Sequence, residues 1–354
     1  MLVSDFDFVL PEALIAQEAR PRGASRLMVV DRARGTWRDA TIPELPSLLA
    51  PGDLLVVNDT RVFPARLLGR REPTGGGAEC FLLSREAGAE PDRWAALVSP
   101  GAKLRVGATI VFEDPDRAPG VILRGAIVDH GARGRRVVAF TAEGAPSVDA
   151  AIDALGHVPL PPYIRRGDTA EDRARYQTVY ARERGSIAAP TAGLHFDEAT
   201  LAALDARGVR RAAVTLHVGY GTFKPVTAER VDDHVVDAEP YAISADTAAA
   251  IADTRARGGR VLVVGTTSTR ALEHSAATHG GVVTAGAAVA DLFIRPGHRF
   301  AAVDALMTNF HLPKSSLLML VSAFGGHALI MAAYRDAVAR GYHFYSYGDA
   351  MVIL

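Results

Sequence analysis

The sequence contains very little cysteine and lysine, and it has no long apolar run. Its single cysteine, Cys80, cannot form an internal disulfide or a Cys-Cys zinc site, which excludes a disulfide-stapled secreted scaffold and a zinc ribbon. The longest apolar stretch, 317–324, ends at two glycines and is shorter than the roughly 18 residues that span a bilayer. The first residues do not form a signal-peptide pattern. These absences predict a cytoplasmic protein that makes no membrane contact.

Neither sign of charge dominates, since 39 basic residues face 40 acidic ones and the formal net charge is −1. This balance argues against a protein that coats nucleic acid non-specifically, but it permits a local basic groove. Only three of the basic residues are lysines: Lys103, Lys224 and Lys314. In a chain that otherwise uses arginine, a retained lysine indicates a place where a compact or deprotonatable ammonium is needed.

The length of 354 residues suggests two domains. Buried strands are indicated at 27–31, 53–57 and 260–264, and helices at 11–17, 169–181, 198–207 with N-cap Asp197, 245–257 with N-cap Ser244, and from residue 271. The stretch 72–147 is instead rich in glycine and proline and contains five short apolar runs, at 80–83, 94–98, 109–112, 121–128 and 136–140. We therefore predict an α/β fold, a mixed sheet with flanking helices, in residues 1–71 and 148–354, interrupted by an inserted all-β barrel-like domain at 72–147. The sequence leaves open whether this insertion contacts substrate or is only structural.

Five segments carry more polar and special-geometry residues than folding requires. They are Asn-Asp-Thr-Arg at 58–61, Ala-Pro-Thr-Ala-Gly-Leu-His-Phe at 189–196, Thr-Leu-His-Val-Gly-Tyr-Gly-Thr-Phe-Lys-Pro at 215–225, Gly-Thr-Thr-Ser-Thr-Arg at 265–270 and Thr-Asn-Phe-His-Leu-Pro-Lys-Ser at 308–315. The first follows a buried strand, and open α/β sheets bind ligands at that edge. Three others lie at helix entries, where backbone amides can hold an anion. Taken singly, each is also explained by N-caps, turns or a satisfied histidine.

No metalloprotease, nucleophile-elbow or phosphate-loop motif is present, and the histidines lack the spacing of metal ligands. The sequence therefore predicts no metal site.

Together these segments resemble the S-adenosylmethionine:tRNA ribosyltransferase-isomerase family of queuosine biosynthesis. The likeness extends along almost the whole chain. It rests on the segments 5–11, 14–17, 25–27, 58–66, 156–164, 175–180, 188–196, 216–223, 264–270, 291–297, 308–315 and 347–350.

The resemblance implies an enzyme that transfers and isomerises the ribosyl moiety of S-adenosylmethionine onto the 7-aminomethyl-7-deazaguanine wobble base of tRNA. The implied products are epoxyqueuosine in tRNA, adenine and methionine. S-adenosylmethionine is then a consumed co-substrate, so no cofactor is expected. The partners are the tRNA carrying the deazaguanine precursor and S-adenosylmethionine, with no obligate protein partner and a monomeric chain.

Positions in the five segments supply the predicted catalytic and substrate-binding residues, and local basic runs outside these segments supply the predicted tRNA-binding residues. For catalysis these are His195, His217, His311 and Lys224, because imidazole exchanges protons near neutral pH. For substrate binding they are Asn58, Asp59, Arg61, Thr191, Gly193, Tyr220, Thr266, Thr267, Ser268, Arg270, Asn309 and Lys314. For tRNA they are Arg66, Arg165, Arg166, Arg173 and Arg175, although a charge run is also typical of a solvated face.

One departure from the family pattern stands out. Where a His-x-Met-His-Ser-Glu segment is expected, residues 234–239 read His-Val-Val-Asp-Ala-Glu, so the second histidine is Asp237. A carboxylate can accept a hydrogen bond there but cannot act as the same cation. Two alternative functions stay open: a transferase or lyase that consumes S-adenosylmethionine without tRNA, and a non-catalytic RNA-binding protein.

Overall fold

The computed structural model of the chain describes residues 1–86, 88, 92–219, 221 and 226–354. Two predicted site residues, Tyr220 and Lys224, lie outside the described residues.

Strands and helices alternate outside a central block that contains strands only. In chain order the strands are β1 (Arg26–Asp31), β2 (Thr36–Thr41), β3 (Leu54–Asn58), β4 (Thr60–Val62), β5 (Arg66–Glu72), β6 (Gly77–Arg85), β7 (Arg93–Ser99), β8 (Thr109–Glu113), β9 (Ile122–His130), β10 (Arg136–Glu143), β11 (Glu183–Ser186), β12 (Arg210–Leu216), β13 (Glu239–Ile243), β14 (Val261–Val264), β15 (Gly286–Ala290), β16 (Ala305–Asn309) and β17 (Ala350–Ile353). The α-helices are α1 (Val148–Leu155), α2 (Ala170–Arg175), α3 (Glu198–Ala206), α4 (Ala245–Ala256), α5 (Thr266–Thr278), α6 (Ser316–Gly325) and α7 (His327–Ala339).

Nine strands form a mixed sheet in the order β15-β13-β12-β3-β14-β16-β17-β1-β2. Its centre is parallel, since β12, β3, β14 and β16 run in the same direction. Every residue of β3, β14 and β16 is buried, as expected for strands covered by helices on both faces. The carboxyl ends of these four strands therefore meet at one edge of the sheet.

A closed six-stranded antiparallel barrel, in the order β10-β7-β6-β5-β8-β9, lies between the two halves of the α/β part. Buried and more exposed residues alternate along β6, which places Cys80 and Leu82 inside the barrel. Burial raises the pKa of the Cys80 thiol, so this residue is an interior strand residue and not a nucleophile. The predicted α/β fold with an inserted β-barrel is confirmed.

The hydrogen-bonded barrel begins at β5, ahead of residue 72, because β5 pairs with both β6 and β8. The division of the chain into domains at 71/72 and 147/148 stays a prediction. A short parallel pair, β4 with β11, joins the segment before the barrel to the segment after it.

In the described part of the chain, no single helix combines the length and apolar character needed to cross a membrane. The pair α6 and α7 passes that test only when taken together, and it is bent by 117° at its junction.

Candidate functional site

The polar segments at 58–61, 215–219, 265–270 and 308–315 lie at the ends of β3, β12, β14 and β16, so the fold brings them to the carboxyl edge of the sheet. Asn58 links three of them. Its Nδ2 donates to the Leu216 carbonyl (2.9 Å) and lies 3.4 Å from Thr267 Oγ1, while its Oδ1 accepts the Leu216 N–H (3.1 Å). Asn58 is almost fully buried, so its amide fixes the edge of the sheet from within.

His217 follows β12 and lines a cavity of about 1350 Å³ between the sheet edge and the barrel. Its Nδ1 is hydrogen-bonded to Thr60 Oγ1 at 2.7 Å. Among the residues that the structure describes, its Nε2 has no hydrogen-bond partner. Burial lowers the pKa of His217, although Asp59 and Glu183 oppose this effect. The imidazole is therefore neutral at neutral pH and offers one ring nitrogen to a ligand.

A glycine lets the chain approach His217 closely. A Cβ atom on Gly185 would lie only 2.7 Å from His217 Cε1, which is closer than van der Waals contact allows. The side chain of any other residue in this place would push the imidazole away from its present position.

Arg270 lines the same cavity, but its guanidinium is already engaged. It forms a buried ion pair with Glu239 (2.5 Å) and donates to the carbonyls of Asp237, Ala290 and Leu292. Glu239 also accepts the Gly219 N–H at 3.0 Å. Arg270 and Glu239 thus tie α5, β13 and the bend after His217 together at the cavity wall.

The other two histidines lie in the interior, away from the lining of the cavity. His195 Nε2 accepts from Asn309 Nδ2 (3.0 Å), and its Nδ1 is bonded to Ser25 Oγ (2.9 Å), so both ring nitrogens are used by the protein. Burial, and then the charge of Arg175, lowers the pKa of His195 to about 4. Thr191 completes this cluster by donating to Asn309 Oδ1 (3.2 Å).

His311 follows β16, where its Nε2 is bonded to Thr308 Oγ1 at 2.8 Å. Burial lowers its pKa to about 3. At neutral pH both His195 and His311 are therefore uncharged, so neither is present as the imidazolium that would protonate a leaving group.

The predicted loop at 265–270 is the first turn of α5. Gly265 has φ +88°, which lets the chain pass directly from β14 into the helix. Ser268 and Thr269 turn their hydroxyls back to the carbonyls of Val264 (2.8 Å) and Gly265 (3.0 Å). Thr266 and Thr267 are also buried in this turn. None of the three hydroxyl residues predicted to bind substrate, Thr266, Thr267 and Ser268, lines the cavity.

Three further predicted substrate residues lie outside the large cavity. Asp59 accepts from Thr215 Oγ1 (2.6 Å) and pairs with Arg182 (2.9 Å). Gly193 packs so closely that a Cβ there would lie 2.3 Å from the Tyr180 hydroxyl. Lys314 has φ +58° and pairs with Asp7 at 2.7 Å.

The predicted tRNA-binding arginines are largely used within the chain. Arg66 and Arg165 pair with Glu79 and Glu12, Arg166 forms a two-pronged pair with Asp172, and Arg173 and Arg175 donate to backbone carbonyls of Gly156 and Arg20. Of the three arginines in ion pairs, Arg165 has the most exposed side chain, at 72%. Four of these arginines thus contact other residues of the α/β part, and Arg66 contacts the neighbouring barrel strand β6.

Sequence reasoning missed residues that the fold brings to the cavity. His234 lies on its wall with its ring edge-on to Phe293 (5.1 Å), and burial lowers its pKa. The barrel contributes Arg85 and Trp94, and β11 contributes Arg184. His234 belongs to the segment 234–239, which differs from the family pattern at Asp237, and that segment could have pointed to this histidine. The barrel residues carried none, because only the closed fold brings them to the sheet edge.

Parallel strands that deliver polar side chains to one edge of a mixed sheet, opposite a cavity also lined by the barrel, form the arrangement in which α/β enzymes place their active sites. The chain matches the family model described as queuosine biosynthesis protein over residues 3–353. It is 54% identical to a relative from Anaeromyxobacter sp. over 100% of this chain and 99% of that one, and 53% identical to one from Symbiobacterium thermophilum over 100% of both; each is named S-adenosylmethionine:tRNA ribosyltransferase-isomerase. A solved structure of the S-adenosylmethionine tRNA ribosyltransferase from Thermotoga maritima is 35% identical and covers 99% of this chain and 100% of that one, with a TM-score of 0.54.

The chain therefore belongs to the queuosine biosynthesis protein family and is an enzyme of the transferase and isomerase class. The resemblance inferred from the segments is confirmed. Among the described residues, no group of three or more His, Cys, Asp or Glu side chains is placed to hold a metal ion.

Proposed function

We propose that this enzyme transfers and isomerises the ribosyl moiety of S-adenosylmethionine onto the 7-aminomethyl-7-deazaguanine wobble base of tRNA. The products are epoxyqueuosine in tRNA, adenine and methionine. S-adenosylmethionine is consumed as a co-substrate, and the chain works as a cytoplasmic monomer.

The observation that carries this proposal is the cavity at the sheet edge, in a chain whose curated relatives bear the name of this reaction. Its volume of about 1350 Å³ exceeds the roughly 300–1,000 Å³ typical of a site for one small ligand. Its walls come from both domains, which suits a site where a small donor meets a base carried by a macromolecule.

His217 is our first choice for the base that removes the acidic proton next to the sulfonium. It faces the cavity, its Nε2 is open, and its lowered pKa keeps it unprotonated at neutral pH. His195, His311, Asn309, Thr191 and Asn58 are better suited to holding the sheet edge in place, since their polar atoms contact one another and the backbone. Arg270 acts as a positioning residue through Glu239. Lys224 stays a candidate by sequence alone.

The experiment that tests the function has three arms. The protein is incubated with S-adenosylmethionine and tRNA carrying the deazaguanine, with S-adenosylmethionine alone, and with tRNA alone, and adenine and the modified nucleoside are quantified. The proposal expects both products in the first arm only. Adenine release without tRNA supports the lyase alternative, and tRNA binding without turnover supports a non-catalytic RNA-binding protein; either result overturns the proposal.

A further inference from the structure

The Arg184 side chain is held by two carboxylates and one aromatic ring. Its Nη1 and Nη2 donate to Asp149 (3.2 Å) and Asp153 (2.9 Å), two residues one turn apart on α1. Its guanidinium carbon lies 4.8 Å from the ring centre of Phe63, so one face of the guanidinium covers that ring. These contacts use two nitrogens on the edge of the planar guanidinium and one of its two faces. The other face is left for a ligand, and 32% of the side chain is exposed.

That remaining face opens toward ligand space. Arg184 lines the large cavity and also a second cavity of about 300 Å³, and the two cavities share Arg184 and Phe63 in their walls. The next residue, Gly185, is the glycine that packs against the His217 ring. A flat ligand on Arg184 would therefore lie beside Gly185, the residue that packs against the imidazole of His217.

The charge balance around Arg184 favours a flat ring over a phosphate. Asp149 and Asp153 offset its positive charge, and Asp149 also pairs with Arg85 of the barrel (3.1 Å). By contrast, no carboxylate of the described residues lies within ion-pair distance of Arg61, which is exposed and sits directly opposite Arg184 in the β4–β11 pairing. Arg61 also lines the smaller cavity. A stacking group thus stands beside an unpaired cation, which is the pattern for a base flanked by phosphates.

We propose that the exposed face of the Arg184 guanidinium is the platform on which the acceptor base of the RNA stacks, with Arg61 contacting a flanking phosphate. The base thereby lies next to His217, and the barrel takes part in substrate binding through the Arg85–Asp149–Arg184 network. This inference rests on the proposed function and assigns a place to its acceptor.

The test compares two probes: an anticodon stem-loop carrying the deazaguanine, and the same stem-loop with an abasic site at that position. Binding of both is measured for the wild type and for R184K, R61A and R211K. Lysine keeps the charge of Arg184 but not its plane. Arg211 is the matched control, because it forms a two-pronged pair with Asp205, is 39% exposed, and lines neither cavity.

The wild type and R211K are expected to bind the base-bearing stem-loop about tenfold more tightly than the abasic one. In R184K this ratio falls to near one while the affinity for the abasic probe is unchanged, and in R61A both affinities fall together. Equal loss for both probes in R184K, or no loss, overturns the platform. Adenine release by the wild type with S-adenosylmethionine and tRNA separates this failure from failure of the proposed function, since turnover with an unchanged ratio in R184K refutes only the platform.

Discussion

At the scale of the residue, three histidines that look alike in the sequence have different environments. His195 and His311 are buried among hydrogen-bond partners, whereas His217 faces the cavity with one nitrogen open. The sequence could identify all three as members of polar segments. It could not rank them, because burial and ring orientation depend on which strands become neighbours.

Replacing His217 by alanine is expected to slow single-turnover adenine release by about 100-fold or more, since a positioned base commonly contributes 10² to 10⁴ in rate. The KM for S-adenosylmethionine should change little. His130, an exposed residue at the end of β9 that lines neither cavity, provides the matched control as H130A, which should keep the wild-type rate. A near wild-type rate in H217A would remove His217 from the mechanism.

The pH dependence of the same step follows from the sign of the His217 shift. Burial lowers its pKa below the ordinary value of 6.5, and the base must be unprotonated to act. The single-turnover rate should therefore rise with pH, reach half of its plateau below pH 6.5, and stay flat through neutral pH. A midpoint above 6.5, measured by rapid quench across the pH range, would contradict this assignment.

At the scale of the element, strands and N-caps were predictable while helix lengths were not. The five barrel runs and the strands β3 and β14 were found because their apolar residues are contiguous or alternate, whereas β5 and β16 were not predicted. The N-caps Asp197 and Ser244 are confirmed by bonds to Thr200 (2.7 Å) and Thr247 (3.1 Å). The helix expected at 169–181 stops at Arg175, because the Gln177 amide instead pairs with both backbone groups of Val62. Such long-range competition leaves no local signal in the sequence.

Two other helices also differ from expectation. A helical pattern at 11–17 becomes a short 3-10 turn, Glu12–Leu14, and the helix expected from residue 271 begins at Thr266. The helix begins earlier because Gly265, with its positive φ, lets the chain pass from β14 directly into α5. The residues 266–270, expected to form a loop, are therefore helical. The segment 265–270 therefore lies at the carboxyl edge of the sheet, but the hydroxyls of Ser268 and Thr269 point back to backbone carbonyls.

The start of α2 offers a test of acid stability. The Asp172 carboxylate is buried, which raises its pKa, but hydrogen bonds from Arg166, Thr169 and Tyr347 outweigh this and hold the pKa well below its ordinary value of 3.8. A group with a depressed folded-state pKa stabilises the fold above its unfolded pKa, and the contribution is lost as the pH falls through the folded value. D172N should lower the free energy of unfolding at pH 7 by about 2 kcal/mol.

This difference should shrink as the pH falls below about 4, as measured by urea denaturation of both proteins. D205N is the control, because the carboxylate of Asp205 is 48% exposed and its pair with Arg211 is worth less than about 1 kcal/mol. An equal loss of stability at all pH values would show that Asp172 acts through shape and not through its charge.

At the scale of the whole molecule, the near-zero net charge is matched by arginines that are largely paired within the chain. Most of those predicted to contact tRNA are paired with carboxylates or carbonyls of the chain itself, and for Arg165, Arg166 and Arg173 these partners lie within the α/β part. Composition alone could show that any RNA contact must be local. It could not show which arginines are used within the fold, since the partners of Arg165 and Arg175 lie 153 and 155 residues away in the chain.

The affinity for tRNA should consequently fall with rising salt by a shallow slope, corresponding to a few phosphate contacts. R61A should reduce the slope of log K against log salt by about one, whereas R165A, which removes an exposed ion pair with Glu12, tests whether the predicted basic run adds a contact of its own. Filter binding across a salt series measures both. A slope that R61A leaves unchanged would exclude Arg61 as a phosphate ligand.

The central claim is that the ribosyl carbons of S-adenosylmethionine end up on the base of the tRNA. It is tested most directly by a single turnover with S-adenosylmethionine labelled with ¹³C in its ribose, followed by nuclease digestion and mass spectrometry of the tRNA nucleosides. The account predicts one modified nucleoside that carries the whole labelled ribosyl unit, formed in equal amount with adenine and methionine. Label that stays in a small molecule, or a tRNA nucleoside that gains only a methyl group, would contradict it.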